Sequence, residues 1–377
     1  MTLEPSSVTR REFMRESMVV TAAMAATATA LAAPRTVLAM ENDMGEIRKT
    51  RNYNSGMEYR RLGQTGLWVS AVCLGGHWKR VDKAIGVLGE LNPYESPADS
   101  AVINAFEKNR REVVDRCLEG GINLIDLAGN SEVEVYAKAL GGRRETMYLA
   151  YSHPASELRE PENRTAKKLL ELLEAKLQQC RLEYVDIWRL MALERGGQHS
   201  QADVDAMITA LETARRQGKC RFTGFSTHDR NWAKKLIDQY PEVLQVLCFP
   251  YSAGSKELPS ESLFDSLRKH DVGTLGIKPF SSNALFKGDG SANSPEAEED
   301  SRMARITLRY ILNNPQLTAP IPGLASPRQV DNVVLAIKER RQQDLTQDER
   351  DQLSQAVASM WGSLPSEYHW LKAWEYV

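Results

Sequence analysis

Histidine and aspartate recur at one kind of position along this 377-residue sequence, the end of a short apolar run. Of only six histidines, three follow such runs, namely His77, His153 and His228, and Asp126 lies near the end of another. Imidazole and carboxylate groups are suitable zinc ligands and common proton donors and acceptors. The spacing lacks a local His-x-x-x-His pair, so we predict no metal site. Acid–base chemistry is one alternative to metal binding, and simple hydrogen bonding of loops by each histidine is the other.

Two cations occupy comparable positions. Lys278 follows one apolar run, and Arg189 lies inside another. Because side chains alternate along a strand, we expect Arg189 to point into the protein, where a guanidinium needs a partner. Asp126 is the first candidate for that partner. Arg189 and Lys278, together with the histidines, could bind an anionic substrate and provide acid–base catalysis. The catalytic candidates are therefore His77, Asp126, His153, Arg189, His228 and Lys278.

These positions share one location if the apolar runs are strands of a parallel sheet. Eight short runs alternate with amphipathic stretches, which predicts repeated βα units. Eight units favour an α/β fold of the closed (β/α)8 TIM barrel type, in which functional residues lie at the carboxyl ends of the strands. The predicted strands are Ala71–Leu74, Ile122–Leu127, Met147–Ala150, Val185–Leu190, Arg221–Phe225, Leu244–Phe249, Gly273–Ile277 and Ala319–Ile321.

Other segments complete this architecture. Residues 57–70 alternate around a glycine turn and predict a hairpin before the barrel. The acidic run Glu296–Asp300 predicts a helix start, because carboxylates are favourable at the positive end of the helix dipole. Apolar residues at helical spacing predict amphipathic helices over Ala166–Leu182, Gln201–Arg216 and Ser301–Leu312.

The loops and the tail are where specificity is expected. The long segments 79–108 and 281–300 follow the first and seventh predicted strands, at the catalytic side of a barrel. After Leu345 the sequence predicts a further helix and then an aromatic segment, Tyr368–Tyr376. Those rings either wall a substrate pocket or pack against an outer helix or a second subunit.

Five short motifs occur in order along the chain. They are Met57-Glu58-Tyr59-Arg60-Arg61-Leu62-Gly63, Leu74-Gly75-Gly76, Gly121-Ile122-Asn123-Leu124-Ile125-Asp126, Gly224-Phe225-Ser226, and Ile321-Pro322-Gly323 with the following Ser326-Pro327 and Gln329. Together they resemble the aldo-keto reductase family from Met57 to about Leu345. The resemblance implies a barrel that transfers hydride between NADP(H) and the carbonyl or alcohol of a small molecule.

The resemblance also implies a proton-donating tyrosine, assisted by a lysine, an aspartate and a histidine, and only the aspartate is matched. Asp126 stands at its position. The family pattern D-x-A-x-x-Y-G-x-S-E is two or three residues too long for this chain, in which Asn130 runs directly into Ser131. Ser152 stands at the lysine position and Met191 at the histidine position. Three of the four catalytic residues are therefore missing.

The cofactor motifs are better preserved than the catalytic ones. The glycine-containing junction at Pro322-Gly323 precedes a predicted helix, whose N-terminal N–H groups can hold phosphate. The usual Ser-Asn of the nicotinamide pocket is Ser226-Thr227, and the usual glutamine is Cys248. The resemblance implies cofactor contacts at Gly75, Ser226, Thr227, Lys278, Pro322, Gly323, Ser326, Arg328, Gln329 and Asn332.

Three functions stay open at this point. The first is an NADP(H)-dependent oxidoreductase with an altered proton donor. Tyr151 is a candidate replacement, although the alternation that sends Ser152 inward points Tyr151 outward. The second is a barrel that binds a small ligand or performs non-redox acid–base chemistry, and the third is an inert scaffold.

The N-terminus predicts export. Thr9-Arg10-Arg11-Glu12-Phe13-Met14-Arg15 has the order of a twin-arginine signal, and the apolar stretch Met18–Ala33 is too short for a confident membrane span. We therefore predict a signal peptide over 1–39, recognition by the twin-arginine export machinery, and a location in the periplasm or cell envelope. The remaining predicted boundaries are a linker over 40–56, the barrel over 57–345, and a C-terminal helix and tail over 346–377.

Composition excludes two other classes. With 48 basic and 50 acidic residues, the chain lacks the positive field of a nucleic-acid-binding surface. Its five cysteines include no Cys-x-x-Cys pair, which argues against a zinc knuckle or a disulfide scaffold.

Overall fold

The computed structural model describes residues 43–77, 81–86, 100–129, 131–153 and 156–377. The chain divides into two compact units, Met1–Lys49 and Thr50–Val377. In the first unit residues 43–47 form a helical turn. The export signal predicted over 1–39 lies outside the described residues. Among the helices that the structure describes, none has the length and apolar character needed to cross a membrane.

The second unit opens with the predicted hairpin. Strand β1 (Tyr59–Arg61) pairs antiparallel with β2 (Trp68–Ser70). Gly63, in the turn between them, has a φ of +50°, and a side chain there would collide with the backbone of Asp271 and Gly273. The close approach ties the hairpin to the start of a barrel strand. Its buried side chains join the barrel core through Leu62, Leu67 and Val69.

Eight parallel strands form the barrel, and they follow one another around the sheet in chain order. Gly75 N–H donates to the carbonyl oxygen of Pro322 at 3.0 Å, which joins the first strand to the segment after the last and closes the barrel. The predicted (β/α)8 fold is confirmed, and most strand bounds differ from the predicted ones by one to three residues. The strands are β3 (Leu74–Gly75), β4 (Leu124–Leu127), β5 (Tyr148–Tyr151), β6 (Val185–Met191), β7 (Cys220–Ser226), β8 (Val246–Pro250), β9 (Gly273–Ile277) and β10 (Ala319–Ile321).

Helices cover the outside of the barrel. The described ones are α1 (Val81–Ile85), α2 (Ser100–Glu119), α3 (Glu132–Leu140), α4 (Ala166–Cys180), α5 (Gln201–Arg216), α6 (Arg230–Gln239), α7 (Leu263–Lys269), α8 (Ala297–Ile311), α9 (Pro327–Gln342) and α10 (Gln347–Ser363). Helix α5 has its predicted bounds. The acidic run lies in the first turn of α8, as predicted. Helix α9 is capped at its start by Ser326, whose Oγ accepts a hydrogen bond from Gln329 N–H at 3.4 Å.

The amino-terminal end of the barrel is held by one buried carboxylate. Asp186, on β6, accepts hydrogen bonds from Arg51 at 3.0 Å, Arg144 at 2.8 Å and Arg221 at 3.0 Å. Arg51 belongs to the segment predicted as a linker. Residues from Thr50 onward belong to the same compact unit as the barrel.

The tail crosses the opposite, carboxyl end of the strands. After α10 it forms a 3-10 segment, Ser366–Trp374. The indole N–H of Trp374 donates to the carbonyl oxygen of His228 at 3.1 Å, and its ring packs 5.9 Å from that of Phe249 on β8. The tail is therefore fixed to the edge of the barrel where functional residues are expected.

Candidate active site

A cavity of about 640 Å³ opens at the carboxyl ends of the strands. Buried residues at the strand ends form its floor, and the loop after β9, the start of α9 and the tail form its walls. The cavity brings together five of the six predicted catalytic residues, His77, Asp126, Arg189, His228 and Lys278.

Asp126 and Arg189 form an ion pair on the cavity floor. Arg189 Nη2 donates a hydrogen bond to Asp126 Oδ1, and the two side chains are 1% and 7% exposed respectively. The partner that strand alternation predicted for Arg189 is thus confirmed. Burial raises the pKa of the Asp126 carboxyl, and the neighbouring guanidinium opposes that shift. A guanidinium does not release its proton in a protein, so Arg189 supplies a fixed positive charge.

Two other nitrogens of Arg189 are without partners. Nε and Nη1 are buried and make no hydrogen bond to the residues that the structure describes. Ser226 Oγ, also on the cavity lining, is in the same state. Unsatisfied buried polar groups are costly, and a ligand oxygen would satisfy them. Unsatisfied polar atoms therefore belong to two residues that line the cavity, Arg189 and Ser226.

The ion pair changes how the missing residues are interpreted. Ser152, at the lysine position, is fully buried and is not part of the cavity lining. The positive charge beside Asp126 comes instead from Arg189, one strand further along the sheet. Met191, at the histidine position, does line the cavity but cannot donate a proton. Asn130, beside which the tyrosine would stand, lies outside the described residues.

His153 is the predicted catalytic residue that the structure does not bring to the cavity. Strand β5 ends at Tyr151, so the alternation of the strand no longer fixes the side chains that follow. Burial lowers the pKa of the His153 imidazole. Tyr151 is buried and also lies outside the cavity lining, and burial raises the pKa of its phenol. Tyr151 therefore does not replace the missing tyrosine.

Sequence reasoning missed Glu132, the first residue of α3. Its side chain is 5% exposed and lies behind His77, whose Nδ1 contacts Glu132 Oε1. The other carboxylate oxygen accepts a hydrogen bond from Ala128 N–H at 2.6 Å. A signal was available, because Ser131-Glu132 is the Ser-Glu that ends the family pattern.

The tail places aromatic rings on two of the other candidates. The imidazole of His228 stacks on the indole of Trp370, with ring centroids 3.7 Å apart. Lys278 Nζ lies 4.8 Å from the centre of the Tyr368 ring. Burial and the positive charges of Arg159 and Lys278 lower the pKa of His228 to about 3, so its ring is neutral. The aromatic tail was expected either to wall a pocket or to pack elsewhere. Trp370 and Tyr368 form part of the cavity wall.

All ten predicted cofactor contacts line the same cavity, which places them together without testing their roles. Arg328 is exposed and pairs with Glu298 at 2.5 Å. Asn332 has both ends of its amide engaged, since it accepts from Arg305 at 2.8 Å and donates to Ser301 at 2.9 Å. Asn332 therefore joins α9 to α8, and this contact would have to open for it to bind a cofactor.

The wall after β9 contains an unusual backbone segment. Ser281, Ser282 and Asn283 have φ values of +48°, +58° and +70°. Ser281 N–H donates to the carbonyl oxygen of Lys278 at 2.8 Å, so this tight turn is held by the backbone. Ser282 and Asn283 line the same cavity as the start of α9, whose N–H groups can hold an anion.

The described residues contain no group of three or more histidine, cysteine, aspartate or glutamate side chains that could hold a metal ion. Two cysteines, Cys73 and Cys248, lie beside the ion pair of Asp126 and Arg189. Burial raises the pKa of Cys248 to about 12, and that of Cys73 well above its ordinary value. Both thiols therefore stay protonated and are poor nucleophiles.

The profile of the Aldo/keto reductase family matches residues 104–356, more than half of the chain. This protein belongs to the aldo/keto reductase family. L-Galactose dehydrogenase of Arabidopsis thaliana is 23% identical over 304 residues, which cover 75% of this chain and 89% of that protein. An uncharacterized oxidoreductase of Bacillus subtilis, YrpG, is 22% identical over 361 residues, which cover 83% and 100%. The holo form of aldo-keto reductase AKR11C1 from Bacillus halodurans superimposes with a TM-score of 0.56, at 22% identity, over 80% of this chain and 96% of that one.

This aldo/keto reductase family oxidoreductase keeps the barrel, the hairpin and the carboxylate at the end of β4. The cation bonded to that carboxylate is Arg189 from β6, and Glu132 contacts His77 nearby in the chain after β4.

Proposed function

We propose that this protein is an exported, NADP(H)-dependent oxidoreductase that interconverts a carbonyl and an alcohol on a small molecule. The observation that carries the proposal is the Asp126–Arg189 ion pair, because Arg189 keeps two unsatisfied guanidinium donors and lines the same cavity as the predicted phosphate contacts. Family membership supports oxidoreductase chemistry, and the site offers a different way of performing it.

The residues present fit a dinucleotide. A phosphate-binding role suits the start of α9 with Arg328, because the first N–H groups of a helix favour an anion. Ser226 Oγ, buried and without a partner in the described chain, would hydrogen-bond a polar edge of the cofactor. When bound, NADP(H) supplies or accepts the hydride.

Arg189 would act on the reacting oxygen. Its Nε–H and Nη1–H donors are already positioned in a buried site, and Asp126 holds the guanidinium in place. Fixed donors aimed at an oxygen that gains negative charge stabilise the transition state, and one such donor is commonly worth about 10²–10³ in rate. Because arginine keeps its proton, it polarises the carbonyl but does not protonate it.

The location is part of the proposal. The twin-arginine motif and the apolar stretch after it support export to the periplasm or cell envelope. NADP(H) is not free in that compartment, so a working enzyme there would carry its cofactor through export and hold it tightly.

A second candidate function is a barrel that binds a small ligand without redox chemistry. The observation that favours it is the absence of the tyrosine, lysine and histidine at their family positions. An inert scaffold is less well supported, because unsatisfied buried donors around a cavity of about 640 Å³ indicate a binding site.

Cofactor binding separates the two candidates. The mature protein would be purified after export, examined for the reduced-nicotinamide absorbance band, and titrated with NADPH and NADP⁺ while tryptophan fluorescence is followed. Trp370 lines the cavity, so we expect binding to change the signal. Arg328→Glu should weaken NADPH binding at least about tenfold, since it reverses a charge at a phosphate site.

Arg216→Glu is the matched control, because Arg216 is an exposed arginine at the carboxyl end of α5, away from the cavity. It should leave the affinity for NADPH unchanged. No binding of either nucleotide at millimolar concentration would overturn the redox proposal and favour the second candidate.

A further inference from the structure

Glu132 is held in a place built around its carboxylate. One oxygen accepts a hydrogen bond from Ala128 N–H at 2.6 Å, and the other contacts His77 Nδ1. Two glycines leave the room for it. A Cβ atom at Gly76 would lie 2.5 Å from Glu132 Oε2, and one at Gly129 would lie 3.2 Å from the same side chain. This fit is tighter than a helix-capping carboxylate needs.

His77 connects this buried carboxylate to the cavity. Glu132 is 5% exposed and is not part of the cavity lining, whereas the side chain of His77 is 56% exposed and lines it. Because Nδ1 faces Glu132, Nε2 is the nitrogen that can exchange a proton with a molecule in the cavity. The arrangement resembles the base-and-orienting-carboxylate pairs found in many active sites.

The charges around His77 favour its protonated form. Glu132 and Asp126 raise the pKa of the imidazole, and burial and Lys278 oppose them. Arg189 lines the same cavity, but Asp126 compensates its charge. His77 is thus an imidazolium in a pH range where an unpaired histidine is neutral.

Four of the ionisable groups that line the described cavity are poorly suited to donate a proton. His228 is neutral at and around neutral pH, because its pKa is lowered to about 3. Arg189 cannot release its proton, and Asp126 is engaged with that guanidinium. Cys248 is a buried thiol whose pKa is raised to about 12.

We propose that His77, oriented by Glu132, is the proton donor that takes the place of the missing tyrosine. The inference rests on the proposed function. In the reduction direction, the Nε2–H bond of His77 breaks as an O–H bond forms on the substrate oxygen, and the imidazolium becomes neutral. The hydride for the carbonyl carbon comes from the reduced cofactor, and solvent returns the proton to His77. His77 is then a catalytic residue, and Glu132 is a positioning residue.

Chemical rescue tests this role directly. NADPH oxidation would be measured with phenanthrenequinone and a panel of aliphatic and aromatic aldehydes. His77→Ala should lower kcat by about 10²-fold or more, and added imidazole should restore a large part of it. A residue that only holds a loop would not be rescued by imidazole.

A second variant tests the orienting role. Glu132→Gln removes the charge that raises the pKa of His77, so the pH above which the rate falls should move lower. His270→Ala is the matched control. His270 also pairs with a carboxylate, Asp238 at 2.9 Å, but it lies at the amino-terminal end of β9, away from the cavity. It should change neither kcat nor the pH profile.

A measurement that does not depend on catalysis completes the test, namely an NMR titration of the histidine side chains. In ¹H–¹⁵N spectra of the histidine side chains, the pKa of His77 should lie above 6.5 in the native protein and fall in Glu132→Gln. Equal pKa values in both proteins, or full activity of His77→Ala, would overturn the inference and leave the proposed function standing. A native protein that neither binds nor oxidises NADPH would overturn the proposed function, and this inference with it.

Discussion

The ion pair between Asp126 and Arg189 joins two strands that are not neighbours. Asp126 lies on β4 and Arg189 on β6, and β5 runs between them in the sheet. The pair therefore braces the barrel from the inside, and Arg189 also lines the cavity.

Breaking this ion pair should destabilise the protein strongly. In Asp126→Asn the guanidinium keeps its charge in a buried site without a counter-charge, and such changes typically cost about 3–5 kcal/mol in the free energy of unfolding. In Arg189→Met the carboxyl can take up a proton, so the loss should shrink as the pH falls. Urea unfolding followed by circular dichroism measures both effects.

A surface pair provides the comparison. Arg61 and Asp271 are also bonded, at 2.7 Å, but their side chains are about half exposed, at 47% and 50%. Asp271→Asn should cost less than about 1 kcal/mol. The double variant Asp126→Asn with Arg189→Met should recover much of the loss of the singles. Equal losses at the buried and the exposed pair would contradict the bracing role.

The fold and this ion pair could both be predicted from local regularities. Apolar runs alternating with amphipathic helices determine the barrel, and strand alternation alone directs Arg189 inward. His153 shows the limit of the same argument. It lies two residues after Tyr151, the last residue of β5, where the strand geometry has ended. The structure does not place it in the cavity lining.

The family pattern points to Glu132, but its environment could not be predicted because it is assembled from separate segments. Its burial depends on Gly76 after β3, on Ala128 after β4 and on His77, and nothing in the spacing of these residues indicates that they meet. A glutamate at the start of a helix is ordinarily interpreted as a favourable partner of the helix dipole. The contact with His77 is a tertiary property.

His228 should make the protein less stable as the pH falls. Its pKa is lowered from 6.5 to about 3 in the folded state, so between these values the unfolded chain binds a proton that the folded protein does not. Stability therefore rises with pH through this window. In His228→Gln this rising contribution should be lost, which urea unfolding of the native protein and of the variant measures between about pH 3 and 6.5.

Trp370 is the partner that covers this histidine. Trp370→Ala should expose the ring, raise the pKa of His228 toward 6.5 and reduce the contribution of His228 to the pH dependence of stability. Trp370→Phe keeps an aromatic ring and should stay closer to the native protein. A pKa of His228 that is unchanged in Trp370→Ala, measured by NMR, would show that the stack is irrelevant to the titration.

Glu157 should make the protein less stable as the pH rises, the opposite of the effect of His228. Burial raises the pKa of its carboxyl from 4.5 to about 7, although Trp188 N–H and Met191 N–H both donate hydrogen bonds to it. The folded state then binds a proton that the unfolded chain has already lost, so its contribution to stability is full below 4.5 and disappears as the pH rises through about 7.

Because Glu157 and His228 have opposite slopes where their windows overlap, the native protein alone does not reveal either. Glu157→Gln should convert the compensated profile into one that rises with pH. His228→Gln should convert it into one that falls. Identical profiles for the two variants would contradict both assignments.

Gly76 should be intolerant of any side chain. A Cβ atom there would lie 2.4 Å from the carbonyl oxygen of Asp126 and 2.5 Å from Glu132 Oε2, so backbone or carboxylate must move. We expect Gly76→Ala to lower the free energy of unfolding by about 1–3 kcal/mol, as overpacking does, and to lower the pKa of His77 by displacing Glu132. Gly129→Ala, whose Cβ would lie 3.2 Å from Glu132, should have a smaller effect on both quantities. Should Gly76→Ala leave the pKa of His77 unchanged while lowering stability, the glycine would serve only the packing of β3 against β4.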